Sequence, residues 1–469
     1  MRILLVWPNI EEAVLSNELS CCEPLPLEYL AAGLRGNHDV EISDQRLDPE
    51  LTDTAHPQQP DLVGIAVPYT SAVRSARKIS QDVRRLWPKA QIVLGGHHAS
   101  VSSEWFDGFC ADYVIQGEAA TSFALLANAL DQRRSTVDVP GLIPFSQLGQ
   151  RSRLVIPKSL EDLPSPDRTL VARHRSQYFH SIYRPVTLVR FSVGCPYACT
   201  FCSLWKVTER RYITQSAERI VQELSEIEGK NIYVIDDEAF IQPQRMRRLA
   251  SVVAEARLSK RYHMYVRADT IMRDCAVIEA WADIGLDSVL VGAESMRPDE
   301  LDLYDKRAKV DETSAAVRFL HSLGIKIRAN FIVRPTYTKD DFDRLAGTVT
   351  DLGIDLPSFS VLTPLPGTDL FNDTRAELIS DNPDLFDCYH TLYPTRLPIE
   401  EFYSELAGLL QKTAAHNASG ADASPMFYYS QRDAFGRMLK AIKNGYLLND
   451  VPWRALQATD VAGGAQSSA

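Results

Sequence analysis

The chain has 469 residues, of which 45% are hydrophobic and 24% are charged, and its formal net charge is −11. This composition excludes a disordered or collagen-like chain, and the acidic charge disfavours a general nucleic-acid coat protein. No apolar run approaches the ~20 residues that span a bilayer, and Pro8 comes too early for a signal peptide. We therefore expect a soluble, cytoplasmic protein of about three domains whose cysteines are reduced.

The first part of the chain alternates short apolar strands with helices, which is typical of a parallel sheet covered on both faces. Residues 1–135 are thus predicted to form a doubly wound α/β domain that binds ligands beyond the carboxyl ends of its strands. The predicted strands are Ile3–Trp7, Val40–Ile42, Leu62–Val67, Gln91–Leu94 and Asp112–Ile115. The predicted helices are Leu27–Leu34, Ser71–Leu86 and Ala119–Leu130.

Residues 136–185 are predicted to be a connector. Residues 139–144 and 153–156 are expected to pair as a small hairpin. The prolines of the segment 163–167 then interrupt regular structure, because each proline removes a backbone donor and restricts the preceding residue.

Strand and helix signals alternate again over residues 186–370, in about six βα units. Six parallel units are too few for a closed eight-stranded barrel and predict a partial (β/α)6 barrel. The predicted strands are Thr187–Val193, Ile232–Ile235, Tyr262–Val266, Ser288–Val291, Lys326–Val333 and Ser358–Leu362. Residues 371–469 are predicted to be a mainly helical, substrate-facing region, with helices over Ile399–Thr413 and Arg432–Lys443.

Three of the cysteines, Cys195, Cys199 and Cys202, follow the first predicted barrel strand, where active-site loops are expected. Three thiolates are one ligand short of a closed zinc site, and a cluster with one unligated iron would be open to a substrate atom. Three metal-free thiols, or a zinc site completed by a distant residue, are the alternatives.

The spacing Gly194-Cys195-x-x-x-Cys199-x-Phe201-Cys202 resembles the signature of the radical S-adenosylmethionine enzymes. The resemblance implies that the cysteines hold a 4Fe–4S cluster whose free iron binds S-adenosylmethionine. Reduction would then release a 5′-deoxyadenosyl radical, and Phe201 would lie near the adenine.

The same resemblance assigns further side chains at the ends of the barrel strands. It places Glu294 at the ribose, and Arg267 and Asn330 at the carboxylate or ribose. It also implies that three consecutive acids accept the methionine ammonium: Asp236, Asp237 and Glu238. A solvated turn for the acids and ordinary barrel polar residues for the others are the alternatives.

A glycine turn in the first domain favours a ligand that approaches the backbone, although a tight βα turn is the alternative. With the segments 24–31, 64–65 and 116–118, this turn resembles the cobalamin-binding domain that precedes some radical S-adenosylmethionine barrels. The resemblance implies cobalamin contacts from the turn and from two nearby loops: Gly95, Gly96, His97, His98, Ser100, Tyr69, Thr70 and Glu118.

One motif of such domains is absent. The Asp-x-His-x-x-Gly sequence whose histidine binds cobalt is replaced here by Asp44-Gln-Arg46-Leu-Asp48. We therefore expect base-off cobalamin without a histidine ligand. His97 and His98 are expected at the corrin amides or nucleotide tail, and the loop with Tyr69 under the lower face.

The segment Phe386-Asp-x-x-His390-x-Leu392-x-Pro394-Thr395-x-Leu397-Pro398 resembles that of the hopanoid C-3 methylases. The implied activity is cobalamin-dependent methylation of an unactivated sp3 carbon of a lipid or polycyclic apolar molecule. Methylation of a natural-product or antibiotic intermediate, a radical rearrangement or cyclisation, and a non-catalytic binding module are the alternatives.

Further expectations concern partners. We expect an external reductant of the flavodoxin or ferredoxin type, no nucleic-acid partner, and peripheral contact with the inner face of the membrane. The membrane contact would use basic side chains beside a set of C-terminal aromatic residues that are also candidates for an apolar substrate groove: Phe402, Tyr403, Met426, Phe427, Tyr428, Tyr429, Phe435 and Tyr446.

Overall fold

The computed structural model describes residues 1–10, 20–48, 51–52, 55–56, 58–149 and 153–417, together with residues 440, 444 and 446. Two six-stranded sheets organise this part of the chain. Within these ranges, none of the helices combines the length and the apolar character that crossing a bilayer requires.

The strands, in chain order, are β1 (Arg2–Trp7), β2 (Ser20–Cys21), β3 (Asp39–Asp44), β4 (Leu62–Ala66), β5 (Gln91–Gly95), β6 (Tyr113–Ile115), β7 (Leu142–Pro144), β8 (Phe179–His180), β9 (Thr187–Val189), β10 (Ser192–Val193), β11 (Ile213–Thr214), β12 (Asn231–Val234), β13 (Arg261–Val266), β14 (Leu286–Glu294), β15 (Lys326–Val333) and β16 (Leu356–Val361). The helices, likewise in chain order, are α1 (Leu25–Leu34), α2 (Val73–Leu86), α3 (His97–Val101), α4 (Ala120–Asp131), α5 (Leu204–Val207), α6 (Ala217–Glu226), α7 (Pro243–Glu255), α8 (Ala268–Arg273), α9 (Cys275–Asp283), α10 (Pro298–Leu303), α11 (Val310–Ser322), α12 (Lys339–Leu352), α13 (Asp369–Thr374) and α14 (Ile399–Asn417).

The first sheet has the strand order β3-β1-β4-β5-β6-β7 and is parallel from β3 to β6. Helices α1 and α4 bury Leu27 and Phe123 against one face, and α2 buries Val73 and Val83 against the other. Because both faces are covered, every residue of the central strand β4 is buried. The predicted doubly wound domain is confirmed.

The predicted hairpin between residues 139–144 and 153–156 is wrong. Strand β7 instead joins the first sheet as an antiparallel neighbour of β6. Val155 forms an isolated parallel bridge with Gly117. Gly117 has a φ of +88°, and a Cβ there would lie 2.4 Å from backbone atoms of Val155. The absence of a side chain at Gly117 thus allows the bridge with Val155 that replaces the predicted pairing.

The second sheet is entirely parallel, in the order β16-β15-β14-β13-β12-β9. Its strands alternate with helices, and alternate residues such as Ile327, Ala329 and Phe331 of β15 enter the core that those helices cover. Within the described chain, the outermost strands β9 and β16 do not pair with each other. The predicted partial (β/α)6 barrel is confirmed.

The first barrel strand is shorter than predicted. It stops at Val189, and residues 192–193 form a separate antiparallel pair with β11. The cause lies in Asp236, whose carboxylate accepts hydrogen bonds from the N–H groups of Phe191 and Ser192 at 2.7 and 2.9 Å. The N–H groups of Phe191 and Ser192 therefore bind Asp236 and do not pair with a neighbouring strand of the sheet.

The C-terminal helix α14 begins where predicted and continues further, to Asn417. Phe402 and Tyr403 on this helix are buried, and the Tyr403 hydroxyl lies 3.1 Å from that of buried Tyr446. These three side chains pack in the core, which corrects their assignment to an apolar groove. Except at residue 440, the predicted helix Arg432–Lys443 lies outside the described residues. So do five other groove candidates: Met426, Phe427, Tyr428, Tyr429 and Phe435. The domain limits at 135, 185 and 370 stay predictions.

Arg168, in the connector, joins the two sheets. Its guanidinium donates hydrogen bonds to Glu23 at 2.9 Å, to Glu223 of α6 at 2.5 Å and to the Leu188 carbonyl of β9 at 2.7 Å. The carboxylate of Glu23 also accepts the Leu188 N–H at 2.6 Å. Glu28 of α1 lies beside them, and burial raises its pKa well above the usual range. Arg168, together with Arg175 at Glu23, thus compensates a buried acidic group shared by both sheets.

Replacing Arg168 by methionine should lower the free energy of unfolding by roughly 3–5 kcal/mol, because it leaves Glu223 buried without its cation and Glu23 with Arg175 alone. Denaturant titration followed by circular dichroism measures the change. Arg248→Met is the matched control, since Arg248 pairs with Glu218 at the surface and its loss should leave the free energy of unfolding nearly unchanged. Equal losses in the two variants would contradict the prediction.

Candidate active site

The three clustered cysteines lie on one loop at the carboxyl end of the second sheet. The loop begins at Gly194, whose φ is +93°. A Cβ there would lie 2.0 Å from the carbonyl oxygen of Arg211, so the position requires glycine. Asp237 accepts a hydrogen bond from the Gly194 N–H at 2.7 Å. The first residue of the loop is thereby fixed by its close packing against Arg211 and by its hydrogen bond to Asp237.

The thiols of Cys195, Cys199 and Cys202 influence one another electrostatically. Burial raises the pKa of Cys195 to about 11 and that of Cys202 to about 12. Burial also raises the pKa of Cys199, against the lowering effect of Lys306 and Arg267. No three Cys, His, Asp or Glu side chains of the described chain stand in metal-ligand positions. The cysteine loop fits an iron–sulfur cluster by its donor chemistry alone, because it supplies three thiols on one short segment. Lys306 and Arg267 lie close enough to favour the thiolate form of Cys199.

Of the three consecutive acids after β12, Asp236 and Glu238 are buried and Asp237 is half-buried, and all three already accept backbone N–H groups. Besides the bonds of Asp236 described above, Glu238 accepts the N–H of Arg267 at 2.6 Å. Burial raises the pKa of Asp236 to about 6 and that of Glu238 to about 8. In this structure the acids fix the ends of neighbouring barrel strands. Their contact with a methionine ammonium stays a prediction.

Glu294, at the end of β14, has a φ of +59°, which is uncommon outside glycine. The pairing of β14 with β15 shifts register at this point. Lys306 donates a hydrogen bond to Glu294 at 2.8 Å, and Asn330 of β15 donates one at 3.4 Å. Backbone strain at the carboxyl end of a barrel strand is typical of a functional position. The structure therefore brings together Glu294 and Asn330, two of the predicted site residues.

Arg267 connects the cysteine loop to this group. Its guanidinium lies 3.7 Å from the ring centroid of Tyr197 and donates to the Lys306 carbonyl at 2.6 Å. Phe201 meets Tyr304 edge to face, with ring centroids 5.5 Å apart. Sequence reasoning missed Lys306, which is 6% exposed, because a lysine in the charged turn 304–309 carries no spacing signal that separates it from a solvated residue.

The glycine turn of the first sheet contacts the cysteine loop. Gly96 has a φ of +115°, and a Cβ there would lie 2.8 Å from the Val67 carbonyl oxygen. The Nε2 atom of His97 lies 2.8 Å from the hydroxyl of Ser203, which directly follows Cys202. Burial lowers the pKa of His97 to about 4, so this hydrogen bond involves a neutral imidazole.

His98 lies deeper in the same turn. Its ring packs against Trp105 and Phe106, and its Nδ1 atom lies 3.1 Å from the hydroxyl of Thr70. Burial lowers the pKa of His98 to about 3. Ser100 accepts the N–H of Gly117 at 2.9 Å. These contacts join the turn to the neighbouring strand ends, and the predicted cobalamin contacts of His98, Thr70 and Ser100 stay predictions.

Tyr69 is 60% exposed and projects into an open cavity. Glu118 lies on the other side of the turn, 3.5 Å from Arg190, and both border a second cavity. Gly95 borders this second cavity as well. The structure thus distributes the predicted cobalamin-binding residues over two neighbouring spaces.

The two cavities lie between the carboxyl ends of the two sheets. The larger has a volume of about 560 Å3 and extends to the segment 386–390, and the smaller has a volume of about 390 Å3. The smaller reaches Gly64 of the first sheet and Asp237 of the second. Six residues border both: Trp7, Pro26, Pro68, Tyr69, His97 and Ile235. Space at the carboxyl ends of a doubly wound sheet, beside glycine turns, suits a large cofactor such as cobalamin.

Two family models match the chain. Residues 12–127 match the B12 binding domain, and residues 189–349 match the Radical SAM superfamily. The hopanoid C-3 methylase of Methylococcus capsulatus is 30% identical over 390 residues, which cover 82% of this chain and 75% of the relative.

Solved structures share the fold. The cobalamin-dependent S-adenosylmethionine radical enzyme OxsB with aqua-cobalamin bound has a TM-score of 0.69 at 17% identity, over 95% of this chain and 72% of its own. The radical S-adenosylmethionine methyltransferase TsrM from Kitasatospora setae, with cobalamin and a [4Fe-4S] cluster bound, has a TM-score of 0.68 at 18% identity, over 95% of this chain and 99% of its own.

The chain belongs to the cobalamin-dependent radical S-adenosylmethionine methyltransferases. Its two sheets correspond to the two matched models, and the cysteine loop and the glycine turn meet between them. Cobalamin, S-adenosylmethionine and a 4Fe–4S cluster are the cofactors that these domains imply. The sequence prediction of this class of enzyme is confirmed.

Replacing Cys195, Cys199 or Cys202 by alanine should abolish cluster assembly, because a cluster held by two thiolates loses a third of its protein ligation. Iron and sulfide analysis after anaerobic reconstitution measures the loss against about four iron atoms in the parent chain. Cys275→Ala is the control, since Cys275 begins α9 outside the loop. A triple-cysteine variant that retained the cluster would refute the assignment.

Proposed function

We propose that the chain methylates an unactivated sp3 carbon of a hopanoid, at C-3, with S-adenosylmethionine as the methyl source. The larger cavity carries this proposal, because it adjoins Ser203 of the cysteine loop and is mainly apolar, as pockets for small apolar molecules are. Its wall is rich in aromatic rings: Trp7, Tyr69, Tyr233, Tyr265, Phe386 and Tyr389. The name of the Methylococcus capsulatus relative supports the hopanoid class.

The C-terminal segment that carries the hopanoid-methylase resemblance forms part of this wall. Asp387, Cys388 and His390 border the cavity, and the Asp387 carboxylate pairs with the His390 imidazole at 2.9 Å. The Cys388 carbonyl accepts the N–H of Val361 at 2.8 Å and so attaches the segment to β16. This anchoring supports a role of the segment in shaping the substrate space.

When bound, the cofactors supply a 5′-deoxyadenosyl radical that removes a hydrogen atom and a methyl group that replaces it. The chain holds them and excludes water. We assign cluster ligation to the three cysteines and S-adenosylmethionine contacts to Phe201, Arg267, Glu294 and Asn330. In this proposal Lys306 orients the Glu294 carboxylate through their hydrogen bond at 2.8 Å.

The cobalamin is proposed to bind base-off and without a histidine on cobalt. In place of the cobalt-binding histidine motif, Arg46 donates hydrogen bonds to the Asp44 carboxylate at 2.8 and 2.6 Å. A guanidinium stays protonated and offers no lone pair to a metal. Tyr69, which borders both cavities, is proposed to lie under the lower face of the cobalamin. An external flavodoxin- or ferredoxin-type reductant and a peripheral membrane contact complete the proposal.

The cob(II)alamin form of the reconstituted protein should show no nitrogen superhyperfine splitting from an axial imidazole in electron paramagnetic resonance. The reason is the absence of a histidine in the cobalt-binding motif. His97→Ala tests whether His97 is instead the cobalt ligand, and this substitution should leave the spectrum unchanged. A splitting that this substitution removes would show that His97 binds cobalt.

Anaerobic turnover with methyl-labelled S-adenosylmethionine and a pentacyclic hopanoid should give a product that carries one labelled methyl group on ring A. Mass spectrometry of the extracted lipid measures it, and the Cys199→Ala protein is the blank. Label on another scaffold alone would favour a natural-product substrate. A changed product without label would favour a rearrangement or cyclisation.

A further inference from the structure

Arg190 and Glu118 form a loose ion pair on the wall of the smaller cavity, and each comes from a different sheet. Arg190 directly follows β9, and Glu118 lies between β6 and α4. The Nη1 atom of Arg190 is 3.5 Å from Oε2 of Glu118, whereas a charge-assisted hydrogen bond of this kind measures about 2.7–2.9 Å. Both side chains border the cavity, and 16% of the arginine and 20% of the glutamate are exposed. A molecule in this cavity can therefore reach both side chains.

The other contacts of the pair leave hydrogen-bonding capacity on both side chains. The Arg190 guanidinium lies 4.7 Å from the ring centroid of Tyr29 and shares a hydrogen bond with the Tyr29 hydroxyl. Its Nε atom is buried and has no partner within the described chain. A guanidinium has more N–H donors than Tyr29 and Glu118 use. On Glu118, Oε1 accepts the N–H of Ala120 at 3.3 Å, and Oε2 receives no donor closer than Arg190 from the described residues.

The charges on this wall limit what the pair can bind. Among the described residues that border the smaller cavity, Arg190 is the only lysine or arginine. Two carboxylates, those of Glu118 and Asp237, border the same cavity. Burial raises the pKa of Asp237 and the charge of Arg190 opposes this effect, so the two groups lie within electrostatic reach. The wall thus carries no surplus positive charge, and an anion placed at Arg190 would also meet two carboxylates.

These groups set a condition on whatever fills the cavity. An apolar surface laid over the pair would remove N–H groups and a carboxylate oxygen from water without replacing their hydrogen bonds, which is unfavourable. A neutral group that both accepts and donates hydrogen bonds meets the condition. A primary carboxamide does so with its oxygen and its NH2 group. Cobalamin, which the B12 binding domain implies, carries primary carboxamides around the rim of its corrin ring.

We propose that Arg190 and Glu118 together bind one carboxamide of the corrin ring. The guanidinium donates to the carboxamide oxygen, and Oε2 of Glu118 accepts a hydrogen bond from the NH2 group. Arg190 is thus a cobalamin-binding residue supplied by the barrel, and the cofactor joins the two sheets through this amide. The inference goes beyond the proposed function, because it concerns the cofactor and is independent of the hopanoid substrate.

The test measures equilibrium binding of corrinoids to the protein with its iron–sulfur cluster reconstituted and cobalamin left out. The probes are cobalamin and its monocarboxylic acids, one for each primary carboxamide of the corrin ring. Equilibrium dialysis with quantification of cobalt gives the dissociation constants. One of the acids should bind at least about tenfold more weakly than cobalamin, because its carboxylate lacks the NH2 donor and faces Glu118.

Substitutions at the two positions should act in different ways. Glu118→Gln should reduce the penalty of that same acid to within about threefold, because the new side chain does not repel a carboxylate and Arg190 attracts it. Arg190→Met should weaken the binding of cobalamin itself at least about tenfold, because the amide oxygen loses a charged donor. It should leave the penalty of the acid in place. S-adenosylmethionine binding by the same samples should match that of the parent chain, which reports that the barrel site is folded.

Glu218→Gln and Arg248→Met are the matched controls. These two residues form a surface ion pair at 2.8 Å that borders neither cavity. Both control variants should reproduce the dissociation constants of the parent chain for every probe.

Three results would overturn the proposal. The first is equal binding of cobalamin and all the acids by the parent chain, and the second is an acid penalty that Glu118→Gln leaves unchanged. The third is an Arg190→Met protein that binds cobalamin normally and S-adenosylmethionine more weakly, which would assign Arg190 to S-adenosylmethionine. None of these results bears on the methyl acceptor, which the labelling experiment tests separately.

Discussion

The site depends on the buried ion group around Arg168, because the site is built from two sheets that this residue joins. Arg168 contacts Glu23, which precedes the first helix of one sheet, and both Glu223 and Leu188 of the other. A buried arginine among carboxylates is weak evidence of net stabilisation, but it fixes relative position through several directed hydrogen bonds. With the sheets held in this way, the glycine turn and the cysteine loop meet at the His97–Ser203 contact.

The fold was largely predictable from the sequence, because its strands and helices have strong periodicity and glycines mark many of their ends. The strand predicted over Lys326–Val333 agrees with β15 at both ends. The errors occur where a residue distant in the sequence decides the local structure. Asp236 ends the first barrel strand early, and Gly117 takes Val155 from its predicted hairpin. Neither effect is visible in a local pattern.

The site was predictable where a spacing signal exists. The three cysteines and Glu294 were found because the family motif marks them, and the structure adds their neighbours. Lys306 was missed, because a single cation in a turn has the same sequence signature as a solvated one. Its burial accompanies a tertiary contact with Glu294. The C-terminal aromatics show the opposite error, since Phe402 and Tyr403 are core residues.

The residues shared by the two cavities have a consequence for the binding of cofactor and substrate. Trp7, Tyr69 and His97 border both spaces, so a molecule in one cavity becomes part of the wall of the other. Under the proposed function, a cofactor in the smaller cavity would form part of the surface that the substrate meets in the larger one. The binding of cofactor and substrate would then be thermodynamically coupled through these shared residues.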